Sequence, residues 1–288
     1  MKELGYYNGT WGPLDQMTVP MNDRSSWFGD GVYDAAYCYN YKIYMLDAHI
    51  DRFYRGAELL KIKIPHTKAE LKQLLQEIVL NLDSHEQFVD WQVTRAHEGA
   101  RAHNFAEPPV PGNMWITLTT RPAIDVYKPV KLMTMEDTRY LHCNVKTLNL
   151  IPAVMATHAA TQAGCYEAVL HRGDRVTECA HSNVSILKDG VFRTAPTDNL
   201  ILPGIARANL IRFCAQLGIP VVEEPFTVDE LRNADEIIVS SSCAFCISAY
   251  ELDGRPVGGK APELLRALKD AAVNDFKTAT ARTMPIAK

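Results

Sequence analysis

Strand-like alternation without a regular strand–helix–strand rhythm limits most strongly which folds this chain can adopt. Residues 6–46 alternate between apolar and polar positions, and Asn8-Gly9 within them is a hairpin-turn signal. Residues 166–195 read as a meander. Its strands are Tyr166–His171, Val176–Leu187 and Val191–Ala195, and its turns fall at Arg172–Asp174 and Lys188–Gly190. Helical periodicity lies elsewhere: His49–Leu60 with Asp47 as N-cap, Lys68–Leu82, Pro152–Gln162 closing at Gly164, 206–217 closing at Gly218, and Pro262–Phe276. Further strands are predicted at Gln87–Arg95, Met114–Thr120, Val130–Glu136, His142–Leu148, Pro220–Glu224 and Glu236–Ser240. This mixture is α+β (mixed α/β) and not a Rossmann domain.

The segment Arg121–Pro129 carries two prolines and few apolar residues, which marks a boundary. The expected organisation is a smaller N-terminal domain at 1–120, a linker at 121–128, a larger C-terminal domain at 129–280 and a frayed tail at 281–288. A chain of 288 residues, 47% hydrophobic, has enough material for two such cores. Its net charge of −4 and the absence of any Lys/Arg run argue against nucleic acid as a partner. No apolar run approaches the roughly 18 residues needed to span a bilayer, and no signal-peptide core is evident, so no membrane partner is expected and the reading is cytoplasmic. The seven cysteines are scattered, as reduced thiols are. The lone Cys243-x-x-Cys246 pair cannot build a four-thiolate zinc site, so no metal is expected.

Several segments carry candidate chemistry. Lys146 stands alone in the mostly apolar His142-Cys-Asn-Val-Lys-Thr-Leu-Asn-Leu run. Burial disfavours an ammonium, and a neutral amine attacks aldehydes; the alternative is a strand-edge lysine reaching solvent. Glu178 alternates among strand residues, and a buried carboxylate needs a charged partner. That partner is a protonated ring nitrogen or a nearby arginine such as Arg139 or Arg175. In Leu200-Ile-Leu-Pro-Gly-Ile-Ala-Arg, Gly204 turns the backbone so that the Ile205 and Ala206 amides point out of a helix N-terminus, which binds phosphate. Ser240, Ser241 and Ser242 close a strand with three hydroxyls that can donate to a phosphate or form a polar turn. Arg52 is able to grip a phosphate bidentately or to pair with Asp51 or Glu58. Two Arg-Ala-His copies, Arg95/His97 and Arg101/His103, are each able to trap a carboxylate, and one of them can be structural.

Together these strings resemble the fold-type-IV enzymes dependent on pyridoxal 5'-phosphate (PLP), and among them the D-amino-acid aminotransferases. The match runs from about Asn8 to Val257. It is carried by Asp23-Arg-Ser-Ser-Trp-Phe-Gly-Asp-Gly-Val-Tyr, His49-Ile-Asp-Arg-Phe-Tyr, Lys146-Thr-Leu-Asn-Leu, Gly164-Cys-Tyr-Glu-Ala-Val-Leu-His-Arg, Val176-Thr-Glu-Cys-Ala-His-Ser-Asn-Val and Leu200-Ile-Leu-Pro-Gly-Ile-Ala-Arg. The resemblance implies a two-domain enzyme with its cofactor at the domain interface, transferring an amino group from a D-amino acid to a 2-oxo acid such as pyruvate or 2-oxoglutarate. Lys146 would carry PLP as a Schiff base and shuttle the proton, and Glu178 would pair with the pyridine nitrogen. Arg52, the Ile205 and Ala206 amides, Ser241 and Ser242 would hold the phosphate, and Leu202 would pack on the ring. Tyr33, Arg101 and His103 would hold the substrate carboxylate, with the arginine loop supplied by the second subunit of a homodimer. Asp34 stands where these relatives carry Glu, and Cys243 where they carry a hydroxyl residue, which leaves the substrate side chain open. Branched-chain L-aminotransferases, (R)-amine transaminases and 4-amino-4-deoxychorismate lyases share the fold but do not need Arg101 and His103. A non-catalytic PLP-binding protein would not need Lys146.

Overall fold

Asn8 and Gly9 both take positive φ, 45° and 93°. This is the backbone of a two-residue hairpin turn, and it folds β1 (Glu3–Tyr7) back onto β2 (Thr10–Pro13). The computed structural model describes residues 3–96 and 100–281. These form two units. One comprises the described parts of Met1–Ala123, Val145–Asn149 and Lys277–Lys288; the other comprises Ile124–Asn144 and Leu150–Phe276.

The first unit continues with α1 (Arg24–Phe28), β3 (Gly31–Tyr39), β4 (Lys42–Ile43), α2 (Leu46–Leu59), α3 (Lys68–Ile78), β5 (Glu86–Thr94) and β6 (Asn113–Thr120). Its strands form an antiparallel sheet in the order β2-β1-β6-β5-β3-β4. The 6–46 stretch is therefore not all strand: the Asp23 carboxylate accepts the Ser25 amide and caps α1 within it. Asp47 is not the cap of α2. Met45 takes that place at φ 56°, and Asp47 sits in the first turn, ion-paired with Lys72 at 2.6 Å. A Thr67/Glu70 capping box starts α3, which gives way to a short 3-10 turn at Val79–Asn81.

Alternation along β3 and β5 divides the sheet into two faces. Val32, Ala36, Cys38, Val89, Trp91 and Val93 join the hydrophobic core beneath α2 and α3. Tyr33, Ala35, Asp90 and Gln92 take the opposite face, with Tyr33 paired to Gln92 and Ala35 to Asp90. The strand expected at His142–Leu148 is reduced to a bridge between Thr147 and Val32. Tyr33 N donates to Lys146 O at 2.9 Å and Leu148 N to Gly31 O at 3.1 Å. These bonds attach Val145–Asn149 to the first unit, although the sequence boundary places it in the C-terminal domain. Thr147 and Val145 are buried and Val145 joins the core, so Lys146 between them takes the Tyr33 face.

The second unit holds β7 (Val130–Glu136), α4 (Ile151–Gln162), β8 (Glu167–Arg172), β9 (Arg175–Cys179), β10 (Asn183–Lys188), β11 (Val191–Thr194), α5 (Ile205–Leu217), β12 (Val221–Glu223), α6 (Val228–Arg232), β13 (Glu236–Ser240), β14 (Ile247–Leu252), β15 (Arg255–Pro256) and most of α7 (Pro262–Ala279). Its mixed sheet runs β12-β11-β10-β13-β14-β7-β8-β9, with β15 on β14. The single strand expected over Val176–Leu187 is two strands. Cys179 N donates to Ser182 O at 2.7 Å, and the Glu167 carboxylate accepts His181 N at 2.6 Å. That turn satisfies its own backbone and sends β9 to β8 and β10 to β11 and β13. Past α7, Asn40 and Lys42 donate to the carbonyls of Thr280 and Ala281. Most of the tail expected at 281–288 lies outside the described residues, as does His97. Among the described residues, no helix is long and apolar enough to cross a membrane.

Candidate active site

In the first unit, Lys146 Nζ lies 4.2 Å from the centre of the Tyr33 ring. Register explains the meeting: Lys146 and Tyr33 occupy the same face of neighbouring segments. Asp90 is the next charged residue on that face. Burial pushes its carboxyl up to about 6, Lys146 draws it down, and Asp34 raises it.

Behind the sheet, Asp34 is fully buried and takes a fork from Arg52: Nε to Oδ2 at 2.8 Å and Nη2 to Oδ1 at 2.7 Å. His49 Nδ1 lies 2.8 Å from Oδ1. Burial works to raise the Asp34 carboxyl, but Arg52 and His49 outweigh it and hold it well below the usual carboxylate range. Arg52 thus pairs with Asp34, a partner other than the Asp51 or Glu58 weighed from sequence. Asp34, which the sequence leaves without a role, fixes its guanidinium.

The two Arg-Ala-His copies separate clearly. Arg95 is buried, donates to Asp30 at 2.9 Å and to the Lys61 and Leu60 carbonyls at 3.0 and 2.7 Å, and stacks on Phe105. It is structural. Arg101 and His103 are exposed. Arg101 lies 4.5 Å from the Phe28 ring centre, and the His103 ring lies 5.0 Å from it. Arg24 anchors their loop, donating to the carbonyls of Ala102, His103 and Asn104 and pairing with Asp30. Among the described residues, no hydrogen bond or ring contact joins Arg101 or His103 to Tyr33. Sequence reasoning misses Phe28 and Arg24, although both lie in the Asp23–Tyr33 string.

In the second unit, Glu178 is buried and ion-paired with Arg139. Its other oxygen accepts Asn183 Nδ2 at 2.8 Å and the Leu202 amide at 3.0 Å. Burial pushes the carboxyl up to about 7 against the lowering effect of Arg139. Arg139 is held in turn by Asp137 at 2.9 Å and by the Leu200 carbonyl at 3.1 Å. Asn183 also donates to the Leu202 carbonyl at 3.0 Å. A β-carbon on Gly204 would meet Asn183 Oδ1 at 1.8 Å, so this approach requires glycine. Asn183 therefore ties Glu178 to the loop that opens α5. Sequence reasoning misses it because nothing local marks a side chain whose partners lie five and nineteen residues away.

The residues present fit PLP. A carboxylate offers about four acceptor sites, and Glu178 uses three on the contacts above, which leaves room for a protonated ring nitrogen. Gly204 caps α5 without a side-chain bond, leaving the Ile205 and Ala206 amides for an anion. Ser240, buried at the end of β13, has an Oγ with no partner among the described residues. The Ser241 Oγ instead accepts the Ala244 amide at 3.2 Å. Cys246 is buried with its thiol pushed up to about 12, which suits a packed side chain and not a redox centre.

Over residues 31–251 the chain matches the amino-transferase class IV family. It is 39% identical over 243 residues to a D-alanine aminotransferase of Listeria monocytogenes, covering 83% of this chain and 84% of the relative. A D-alanine aminotransferase of Staphylococcus aureus is 37% identical over 268 residues, 92% of this chain and 95% of the relative. The branched-chain amino acid aminotransferase of Escherichia coli superimposes with a TM-score of 0.87 at 19% identity, over 99% of this chain and 98% of the other. The T.th. branched-chain enzyme complexed with N-(5'-phosphopyridoxyl)-L-glutamate gives 0.85 at 23%, over 98% and 95%. Identities this low speak for the fold alone.

Proposed function

This chain belongs to the class IV aminotransferases, fold-type-IV enzymes dependent on PLP, and from that premise we propose that it moves the amino group of a D-amino acid to a 2-oxo acid. Its likeness to D-alanine aminotransferases over most of its length carries this reading. The exposed Arg101/His103 pair supports it, because two cationic or donor groups on one anchored loop suit an α-carboxylate.

Bound PLP supplies an aldehyde that takes up the amino group and a ring that delocalises charge from the substrate α-carbon. Lys146 Nζ is the proposed attachment point and the base that removes and returns the α-proton. The ring of Tyr33 flanks that amine and limits its path. Glu178 would hold the proton on the ring nitrogen, with Arg139 and Asn183 keeping the carboxylate aimed. The Ile205 and Ala206 amides, Ser241, Ser242 and the unpartnered Ser240 hydroxyl would take the phosphate, and Arg52, held by Asp34, is proposed as a further phosphate ligand. Leu202, whose backbone is fixed through Glu178 and Asn183, would pack on the ring.

We further propose a homodimer in which the Arg101 loop serves the partner's site. Leu150, Ile151, Val154 and Met155 are exposed together at the start of α4, with Ile151 74% accessible, and an apolar face of this kind favours a second copy. Among the described residues the cysteines form no disulfide, which supports a cytoplasmic location. A panel of D- and L-amino donors against pyruvate and 2-oxoglutarate tests the main reading. Turnover confined to the D-series is expected; turnover confined to L-leucine, L-valine and L-isoleucine would replace it with the branched-chain reading.

A further inference from the structure

Asp90 is a carboxylate on the working face of the sheet for which the proposed chemistry has no use. Its place follows from register. On β3, Tyr33 lies beside Lys146 Nζ and pairs with Gln92 on β5, while Ala35 pairs with Asp90. Asp90 is thus the diagonal neighbour of Tyr33, about 7–8 Å away. Its cross-strand neighbours are small, Ala35 on one side and Thr117 on the other. The side chain is half-buried, and its carboxylate makes no hydrogen bond or ion pair with any described residue. Lys146 and Asp34 are the charges that act on it. Asp34 is itself paired with Arg52 and His49 behind the sheet.

A substrate must bring its α-carbon to Lys146 Nζ. Its α-hydrogen then faces the lysine and its nitrogen faces the cofactor, leaving two substituents to place, the α-carboxylate and the side chain. A carboxylate at Asp90 repels the first. The substrate is therefore turned with its α-carboxylate away from β5 and its side chain toward it.

Resting on the proposed aminotransferase reading, we propose that Asp90 selects substrates by side-chain charge. It admits neutral and cationic side chains and excludes anionic ones, including the second carboxylate of 2-oxoglutarate. A like charge within about 10 Å at an effective dielectric of about 20 corresponds to roughly a tenfold loss or more in kcat/KM.

The test compares kcat/KM for D-glutamate and D-lysine, with pyruvate as acceptor, in the wild-type holoenzyme and in Asp90→Asn, with Asp90→Ser as a second neutral variant. The wild type should favour D-lysine, and either neutral variant should raise the D-glutamate to D-lysine ratio at least tenfold. A wild type that favours D-glutamate overturns the proposal. So does a ratio that stays constant while both rates fall together, which would make Asp90 a positioning partner of Lys146. If the enzyme turns over only L-amino acids, the D-reading fails, but the same ratio measured with L-glutamate and L-lysine still decides the role of Asp90.

Discussion

Glu178 stays buried because Arg139 lies against one oxygen while Asn183 and the Leu202 amide occupy the other. Replacing it with Gln keeps the shape and removes the charge. Glu178→Gln should still take up PLP, followed by absorbance, but lose about a hundredfold or more in kcat, since a preorganised charge is worth roughly that much. A kcat within a few-fold of wild type would place the ring-nitrogen partner elsewhere. Asp34 gives a stability counterpart. Asp34→Ala leaves Arg52 buried without its carboxylate and should cost about 3–5 kcal/mol in denaturant unfolding. Because the folded Asp34 carboxyl lies below its unfolded value, its contribution is complete above the unfolded pKa and fades as pH falls through the acid range. Lys146 and Glu178 stand out in sequence as isolated charges in segments read as strands, but their proposed roles come from the resemblance and not from that isolation. Arg52 is legible as an important cation but not as the partner of Asp34, since that pairing depends on α2 packing against the back of β3.

At the scale of elements, the start of α5 and the loop after β5 matter most. The Leu-Pro-Gly-Ile-Ala string announces the first, because an N-terminus without a capping side chain is a local feature. The second is ambiguous in sequence, since two Arg-Ala-His copies look alike until tertiary contacts separate them. Arg95 reaches the end of α2 through the Leu60 and Lys61 carbonyls, while Arg101 faces outward over Phe28. Arg101→Ala should therefore raise the KM for D-amino acids about ten- to a hundredfold, the value of one charge-assisted bond, and weaken the D-over-L preference. Arg95→Ala should leave that KM near its original value and lower stability by about 1–3 kcal/mol, read from the unfolding midpoint. Reversal of the two results would exchange their roles. The break between β9 and β10 is not legible: both halves alternate in phase, and only the local bonds of the Ala180–Ser182 turn send them to different neighbours.

On the scale of the whole molecule, the class of fold and the five long helices are legible in the alternation and periodicity of the chain, while β14, a central strand of the second sheet, is not. The departure of Val145–Asn149 from its sequence neighbours to join the first unit is not, because two backbone hydrogen bonds with β3, forming one bridge, decide it. The proposed dimer makes its own prediction. Mixing Lys146→Ala with Arg101→Ala subunits should restore about a quarter of wild-type turnover, since half the dimers would be hybrids with one intact site. No recovery on subunit exchange would confine each loop to its own chain. The most direct test of the central claim, that Lys146 is the residue on which this aminotransferase works, is to fix the cofactor to its amine. The purified holoenzyme is reduced with borohydride, digested and mapped by mass spectrometry. The pyridoxyl mass should fall on Lys146 alone, with activity lost in proportion to labelling; a label on any other lysine, or full labelling with activity retained, would contradict the assignment.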